Sequence, residues 1–366
     1  MRGTLLTFLP LAVAAFAVAF CAVLWLVPRV RAFALRIGAV QVGGSAHGGG
    51  VRQHDGRVPN IGGIAILAGF LVAMLAGSLV APQLIDGYRV ELLAIALGGA
   101  LMTLVGFIDD MWEVPPPLRL ATQVVAAGIL VVNGVRIGFV TDYFGAGTFL
   151  FIPETLSVLV TILWVVGFTN AFNFIDGLDG LSSGIAAISS MSLLAVAVQF
   201  DDRGGAVLLL AALAGAALAF LRYNFGPATI TMGDSGAYLL GYVLAAVSVL
   251  GALKVTAAIS VVAPVLVLAL PVVNITQVTL RRLRRGSSPA LATNDHIHDM
   301  IRVRSGSKRF TVVLLWTATL ILGVVGMLLS STPPVLTLLT LIVTVVAIAA
   351  VSLLRLAEVR RAGAHT

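Results

Sequence analysis

Eleven apolar runs, each about the length of a bilayer crossing, constrain this chain more than any other feature. They lie at about 4–27, 61–81, 91–108, 118–133, 155–172, 182–199, 205–222, 235–253, 256–280, 310–330 and 334–354. A helix needs roughly 20 apolar residues to cross a membrane. Inside lipid the backbone must satisfy its own hydrogen bonds, which leaves helices or a closed barrel. Runs of this length specify helices. The expected fold is therefore an all-α integral membrane protein with about 11 transmembrane helices. Charged residues are 11% of the 366, against about 25% in a soluble domain. No polar stretch is long enough for a separate soluble domain, so residues 1–366 read as one polytopic domain. The first run is longer than the 7–15 residue core of a signal peptide, so it reads as an uncleaved span. The single cysteine, Cys21, lies in that run, which excludes a disulfide framework and a cysteine metal site.

Basic residues set the orientation. With the amino terminus outside and the carboxyl terminus cytoplasmic, 18 of the 23 Lys and Arg fall inside and 5 outside. The cytoplasmic loops are then about 28–60, 109–118, 173–181, 223–234 and 281–309. The net charge of +7 thus reports topology and anionic substrates, and does not point to nucleic acid. Asp109, Asp110, Asp176, Asp179, Asp234 and all five histidines fall on the same cytoplasmic side. That gathering places the expected active site at the cytoplasmic face. The Gly-rich segment 43–56 reads as a flexible cytoplasmic loop, and the outer loop 134–154 as a short hairpin.

Four stretches carry chemistry. In "GFIDDMWEVPPPLR" (106–119), Asp109 and Asp110 close the third span. Adjacent carboxylates repel, and a divalent cation or a proton relieves them. The plain alternative is two helix-end charges in water. In "NAFNFIDGLDGLSSG" (170–184), Asn173, Asp176 and Asp179 recur every third residue, interrupted by Gly177 and Gly180. Asp179 could simply cap the next span. In "RYNFGPATITMGDSGAYLLGY" (222–242), Asp234 opens a span, as a cap or as a ligand for Mg²⁺ bound together with substrate phosphates. The loop 281–309 has eight basic residues around His296-x-His298. Its first arginines, 281 to 285, fit positive-inside topology and lipid headgroups. The histidines fit a phosphate-binding loop better than zinc, which lacks a cysteine partner there. Acids, an amide, histidines and arginines on one membrane face suit Mg²⁺-assisted phosphoryl transfer between a soluble diphosphate and a lipid phosphate.

In this order, "RVPNIGGIAI", "GFIDD", "NAFNFIDGLDGLSSG", "YNFGPA…MGDSG" and "HIHDMI" resemble the polyprenyl-phosphate N-acetylhexosamine-1-phosphate transferases, over about residues 55–310. The resemblance implies transfer of a sugar-1-phosphate from a UDP-N-acetylhexosamine to a polyprenyl phosphate lipid, with UMP released. It implies Mg²⁺, with Mn²⁺ as an alternative, and a bacterial cytoplasmic membrane location, with a homodimer left open. By position, Asp109 and Asp110 would handle the lipid phosphate, Asp109 as base, with Asp176 beside them as a third catalytic carboxylate. Asn173 and Asp234 would hold the metal. Asp176 and Asp179 would line the nucleotide site, with Asp179 towards uracil. His296, His298 and Arg302 would meet the nucleotide sugar, and Arg119 the phosphates. "NFIDGLDGLSSG" and His-x-His look like the N-acetylglucosamine-1-phosphate branch; the alternative phospho-N-acetylmuramoyl-pentapeptide branch usually shows three histidines in a row. One departure stands out: Asp299 occupies a position where the branch usually carries a further histidine.

Three other readings compete. A cation-coupled transporter would carry acids near mid-membrane, whereas these sit at span ends. An intramembrane prenyltransferase would share "DDMWE" but need a second Asp-x-x-x-Asp, where this chain has Asp176-x-x-Asp179. The third is an inactive relative that binds lipid phosphate.

Overall fold

The structure is a computed structural model that describes residues 2–42, 46–47, 50–51, 57–141, 149–252, 262–284 and 296–363. Among the described residues there are fourteen α-helices: α1 (Arg2–Ile37), α2 (Gly63–Val80), α3 (Pro82–Ile85), α4 (Arg89–Trp112), α5 (Pro116–Val132), α6 (Glu154–Ile175), α7 (Leu181–Ala197), α8 (Gly204–Asn224), α9 (Gly233–Ala252), α10 (Val262–Val267), α11 (Ala269–Arg284), α12 (Ile297–Ser305), α13 (Lys308–Leu329) and α14 (Pro334–Gly363). Among the described residues, eight helices are long and apolar enough to cross a membrane; α5 and α7 are shorter apolar helices.

The helices pack around α8 and α9, whose apolar stretches are wholly buried. Helix α1 lies along α8 and α2, α7 packs on α8, and α9 is held between α4 and α6. The outer helices turn large apolar side chains outward, among them Leu75, Leu97, Leu163 and Ile321. Such a surface suits lipid, where an exposed apolar side chain costs nothing.

Ten of the eleven apolar runs coincide with one helix each, while 256–280 does not. Its described part is split at Leu268 into α10 and α11. Pro271 explains the split, because it lacks the N–H that would bond to Val267 four residues back. Helix α1 also runs on to Ile37, well past the apolar run. The expected hairpin in 134–154 is present as β5 (Phe139–Thr141) paired antiparallel with β6 (Phe149–Phe151). Most of 43–56 lies outside the described residues. Short antiparallel pairs flank and enter it: β1 (Val40–Val42) with β4 (Arg57–Pro59), and β2 (Ala46–His47) with β3 (Gly50–Val51). Of 281–309, residues 285–295 lie outside the description, and 297–305 form α12 where a loop was expected.

Candidate active site

Close helix crossings bring the acids together. A side chain at Gly106 would stand 2.4 Å from the Ser235 backbone, so only glycine lets α4 approach the start of α9 this closely. One turn later, Asp110 reaches that same helix start. Its Oδ1 accepts from the backbone N–H of Asp234 at 2.9 Å, and its Oδ2 from that of Ser235 at 3.2 Å. Asp110 therefore satisfies two of the N–H groups that a helix leaves open at its amino end. The Asn60 amide also donates to Asp110, at 3.4 Å.

This arrangement frees Asp234 from capping duty. Its Oδ1 instead accepts from Asn173 Nδ2 at 2.6 Å, across from the end of α6. Asp109 turns the other way. Its Oδ1 accepts from the Val114 N–H at 2.7 Å, and its Oδ2 from Arg119 Nη1 at 3.0 Å and from the Tyr238 hydroxyl at 3.1 Å. Tyr238 is one turn beyond Asp234 on α9, so its phenol ties Asp109 to that helix. Asp109, Asp110, Asn173, Asp176 and Asp234 are all buried. The bend that returns Arg119 to Asp109 is written in "EVPPP": Glu113 takes a left-handed conformation and ends α4, and Pro116 starts α5.

Asp176 ends α6, and the loop after it meets α12. A side chain at Gly177 would lie 2.0 Å from His298 Nε2, so the imidazole rests directly on that glycine. His298 stacks on His296 with centroids 5.3 Å apart. Burial, with His296 and Arg302 adding to it, pushes the His298 pKa down to about 3, so the ring is neutral at physiological pH. Positive charge near this loop comes from arginines. Asp299 is buried, with Oδ2 3.7 Å from His298 Nε2. Asp179 accepts from the Ala228 N–H at 2.9 Å and does not cap α7. Asn224 takes that role, accepting from the Gly180 N–H and the Ser183 hydroxyl, both at 3.0 Å.

Several participants are not among the site residues singled out in the sequence. Tyr238 is one. Asn274 on α11 is another: its Oδ1 accepts from the Ile297 N–H at 2.9 Å, and its Nδ2 lies 3.4 Å from both His296 Nδ1 and the Phe174 carbonyl. It holds α12 against α6. Gln123 and Asn170, hydrogen-bonded at 2.6 Å, join α5 to α6 one turn from Arg119 and Asn173. Arg282 is almost wholly buried, with its guanidinium 5.6 Å from the Phe174 ring. Headgroup contact, expected for arginines 281–285, does not describe a buried side chain. An isolated polar residue in an apolar run was the available clue for Asn170 and Asn274.

Among the described residues, no group of three or more His, Cys, Asp or Glu is arranged as a metal cage. The groups that do meet are the Asp234 carboxylate and the Asn173 amide, which turns its Nδ2 to Asp234 here and would offer its hard oxygen beside the carboxylate on rotating the amide. That set fits Mg²⁺, which is held by one or two carboxylates plus substrate phosphates and water.

Fold and site define a class: a polytopic helical membrane protein with buried carboxylates, an amide and an arginine where its helix ends meet. Residues 92–252 match the family model described as glycosyl transferase family 4. The chain is 32% identical over 319 residues to a decaprenyl-phosphate N-acetylglucosaminephosphotransferase of Mycolicibacterium smegmatis, covering 80% of this chain and 76% of that one. It is 29% identical over 327 residues to a probable undecaprenyl-phosphate N-acetylglucosaminyl 1-phosphate transferase of Bacillus subtilis, covering 87% and 85%. It is 27% identical over 282 residues to an undecaprenyl-phosphate alpha-N-acetylglucosaminyl 1-phosphate transferase of Yersinia pestis, covering 76% and 74%. The chain therefore belongs to glycosyl transferase family 4, among the polyprenyl-phosphate N-acetylhexosamine-1-phosphate transferases that its motifs resemble.

Proposed function

We propose that this protein transfers N-acetylglucosamine 1-phosphate from UDP-N-acetylglucosamine to undecaprenyl or decaprenyl phosphate at the cytoplasmic face of a bacterial inner membrane. UMP leaves, and the lipid-linked sugar starts a cell-envelope glycan. The observation that carries this reading is the buried meeting of Asn173–Asp234 with Asp109–Arg119 at the ends of four helices. An oxygen of the acceptor phosphate forms a bond to the sugar-bearing phosphorus. The bond from that phosphorus to the bridging oxygen breaks, and UMP departs with the electron pair.

Asn173 and Asp234 would hold Mg²⁺. When bound, the ion offsets charge on the diphosphate. Arg119 brings the matching positive charge to the acceptor phosphate and holds Asp109 in place. Asp109 is the base that removes any proton left on that phosphate. Asp110 acts by placing the start of α9, and with it Asp234. Asp176 lines the reacting centre and Asp179 the uracil side. Arg302, with His296 and the neutral His298, faces the sugar and diphosphate. The 18 to 5 basic split supports the orientation.

The test is Asp234→Asn. Turnover is expected to vanish while purification and thermal melting stay as in the parent. Near-normal turnover in that variant would remove the metal assignment.

A further inference from the structure

The cytoplasmic ends of α1, α8 and α14 converge on the turn between α8 and α9, well outside the carboxylate cluster. Three arginines there donate to three carbonyls of one short loop. Arg31 Nε reaches Thr229 at 3.2 Å, Arg355 Nη2 reaches Pro227 at 2.6 Å, and Arg309 Nη2 reaches Gly226 at 3.3 Å. Arg222 joins them through Glu358, which it meets at hydrogen-bond distance and which also lies 3.8 Å from Arg355. Arg31 and Arg222 are both close enough to Arg355 to repel it.

Glu358 faces Arg222 and Arg355, while Asp179, also within reach of Arg355, is turned towards Ala228. The donors are also incompletely used. Arg222 Nη1 and Arg355 Nε are buried and have no acceptor among the described residues. A buried N–H without an acceptor is unfavourable, the more so when the group is charged. Two such donors on neighbouring guanidiniums are suited to receive an anion.

A second, independent feature adjoins them. A narrow cleft lies between α1, α7, α8 and α14, about 260 Å³ when the open space outside its mouth is included. Phe16, Leu218, Val343, Ala347 and Ile348 line it, and Thr344 is its one polar residue. Such a space offers water almost no partners and suits hydrocarbon. Leu218 is one turn before Arg222 and Ile348 two turns before Arg355, so the near edge of the cavity lies about 6–10 Å beneath these two arginines along the helix axes, while Arg31 on α1 stands about 22 Å above Phe16.

We propose that Arg31, Arg222 and Arg355 bind the phosphate of an anionic phospholipid whose acyl chain enters this cavity. Cationic head site and apolar slot lie in the order that a lipid in the cytoplasmic leaflet presents them, which rests on the orientation adopted above. One loop joins the site to Asp179. Pro227 gives its carbonyl to Arg355, and the next residue, Ala228, gives its N–H to Asp179. A bound headgroup would thus steady the loop that holds Asp179.

The test is native mass spectrometry of the detergent-purified protein mixed with equal phosphatidylglycerol and phosphatidylcholine. It reads binding, so it stays separate from any failure of the transferase reading. Phosphatidylglycerol is expected to be retained at least tenfold over phosphatidylcholine. Arg222→Gln with Arg355→Gln should abolish that preference, and Ala347→Phe should weaken retention by filling the slot. The exposed outer variant Arg89→Gln should change nothing. If the double variant fails to fold, the parent preference and Ala347→Phe still decide. Equal retention of both lipids, or a preference unmoved by Ala347→Phe, would overturn the proposal. So would displacement by millimolar inorganic phosphate alone, or preferential occupancy by undecaprenyl phosphate.

Discussion

Tyr238 donates to Asp109 from one turn beyond Asp234, so a single phenol ties the end of α4 to the start of α9. A hydrogen bond to a charged group is worth about 1.5–3 kcal/mol. Tyr238→Phe should therefore cut turnover roughly 10- to 100-fold in a protein that still folds, read as steady-state product release alongside a melting curve. Gly177→Ala should do at least as much harm, because the new methyl would stand 2.0 Å from His298 Nε2 and push the ring off the loop that follows Asp176. Unchanged turnover in Gly177→Ala would show that this contact is not required. The acids were legible in sequence because they stand out from apolar runs. Tyr238, Asn274 and Arg282 were not, because their roles depend on partners distant in the chain. His298 adds a pH dependence. Its folded pKa is depressed to about 3 against about 6.5 unfolded, so the unfolded state takes the proton first. Above pH 6.5 the group has no effect. As pH falls from 6.5 towards 3 it destabilises the fold, by up to about 1.4 kcal/mol per pH unit. Melting temperatures in detergent should drop from pH 7.5 to 5.0, with a shallower slope in His298→Gln.

Helices α5 and α6 are joined inside the apolar layer by Gln123 and Asn170. Such bonds average about 0.6 kcal/mol in membrane proteins, reaching about 1.7. Asn170→Leu should lower stability by that modest amount, measured by chemical denaturation in micelles. It should lower activity more, because Arg119 and Asn173 lie one turn away on the two helices. Equal losses of stability and activity would reduce the pair to simple glue. Hydropathy located these helices well, since a run of apolar residues reports the bilayer directly. It placed one span across 256–280 because hydropathy is blind to a missing N–H, and Pro271 is the residue that breaks the helix. It also read 297–305 as loop, because a short polar helix lacks an apolar face long enough to notice. Helix α12 is held by tertiary contacts: Asn274 at its amino end and Gly177 against its histidine.

The whole chain gathers its chemistry at one end of a bundle whose central helices, α8 and α9, are buried throughout. That polarity makes orientation testable. In a Cys21→Ala background, a cysteine placed at Gly306 should resist a membrane-impermeant maleimide in intact cells, and one at Gly134 should react. The reverse pattern would invert the topology. The transfer itself is tested most directly by UMP release from the purified protein with undecaprenyl phosphate, Mg²⁺ and one UDP-sugar at a time. UMP should appear with UDP-N-acetylglucosamine, stop on adding EDTA, and be absent with UDP-N-acetylmuramoyl-pentapeptide. Release with only the pentapeptide donor, or release that EDTA leaves untouched, would contradict the account.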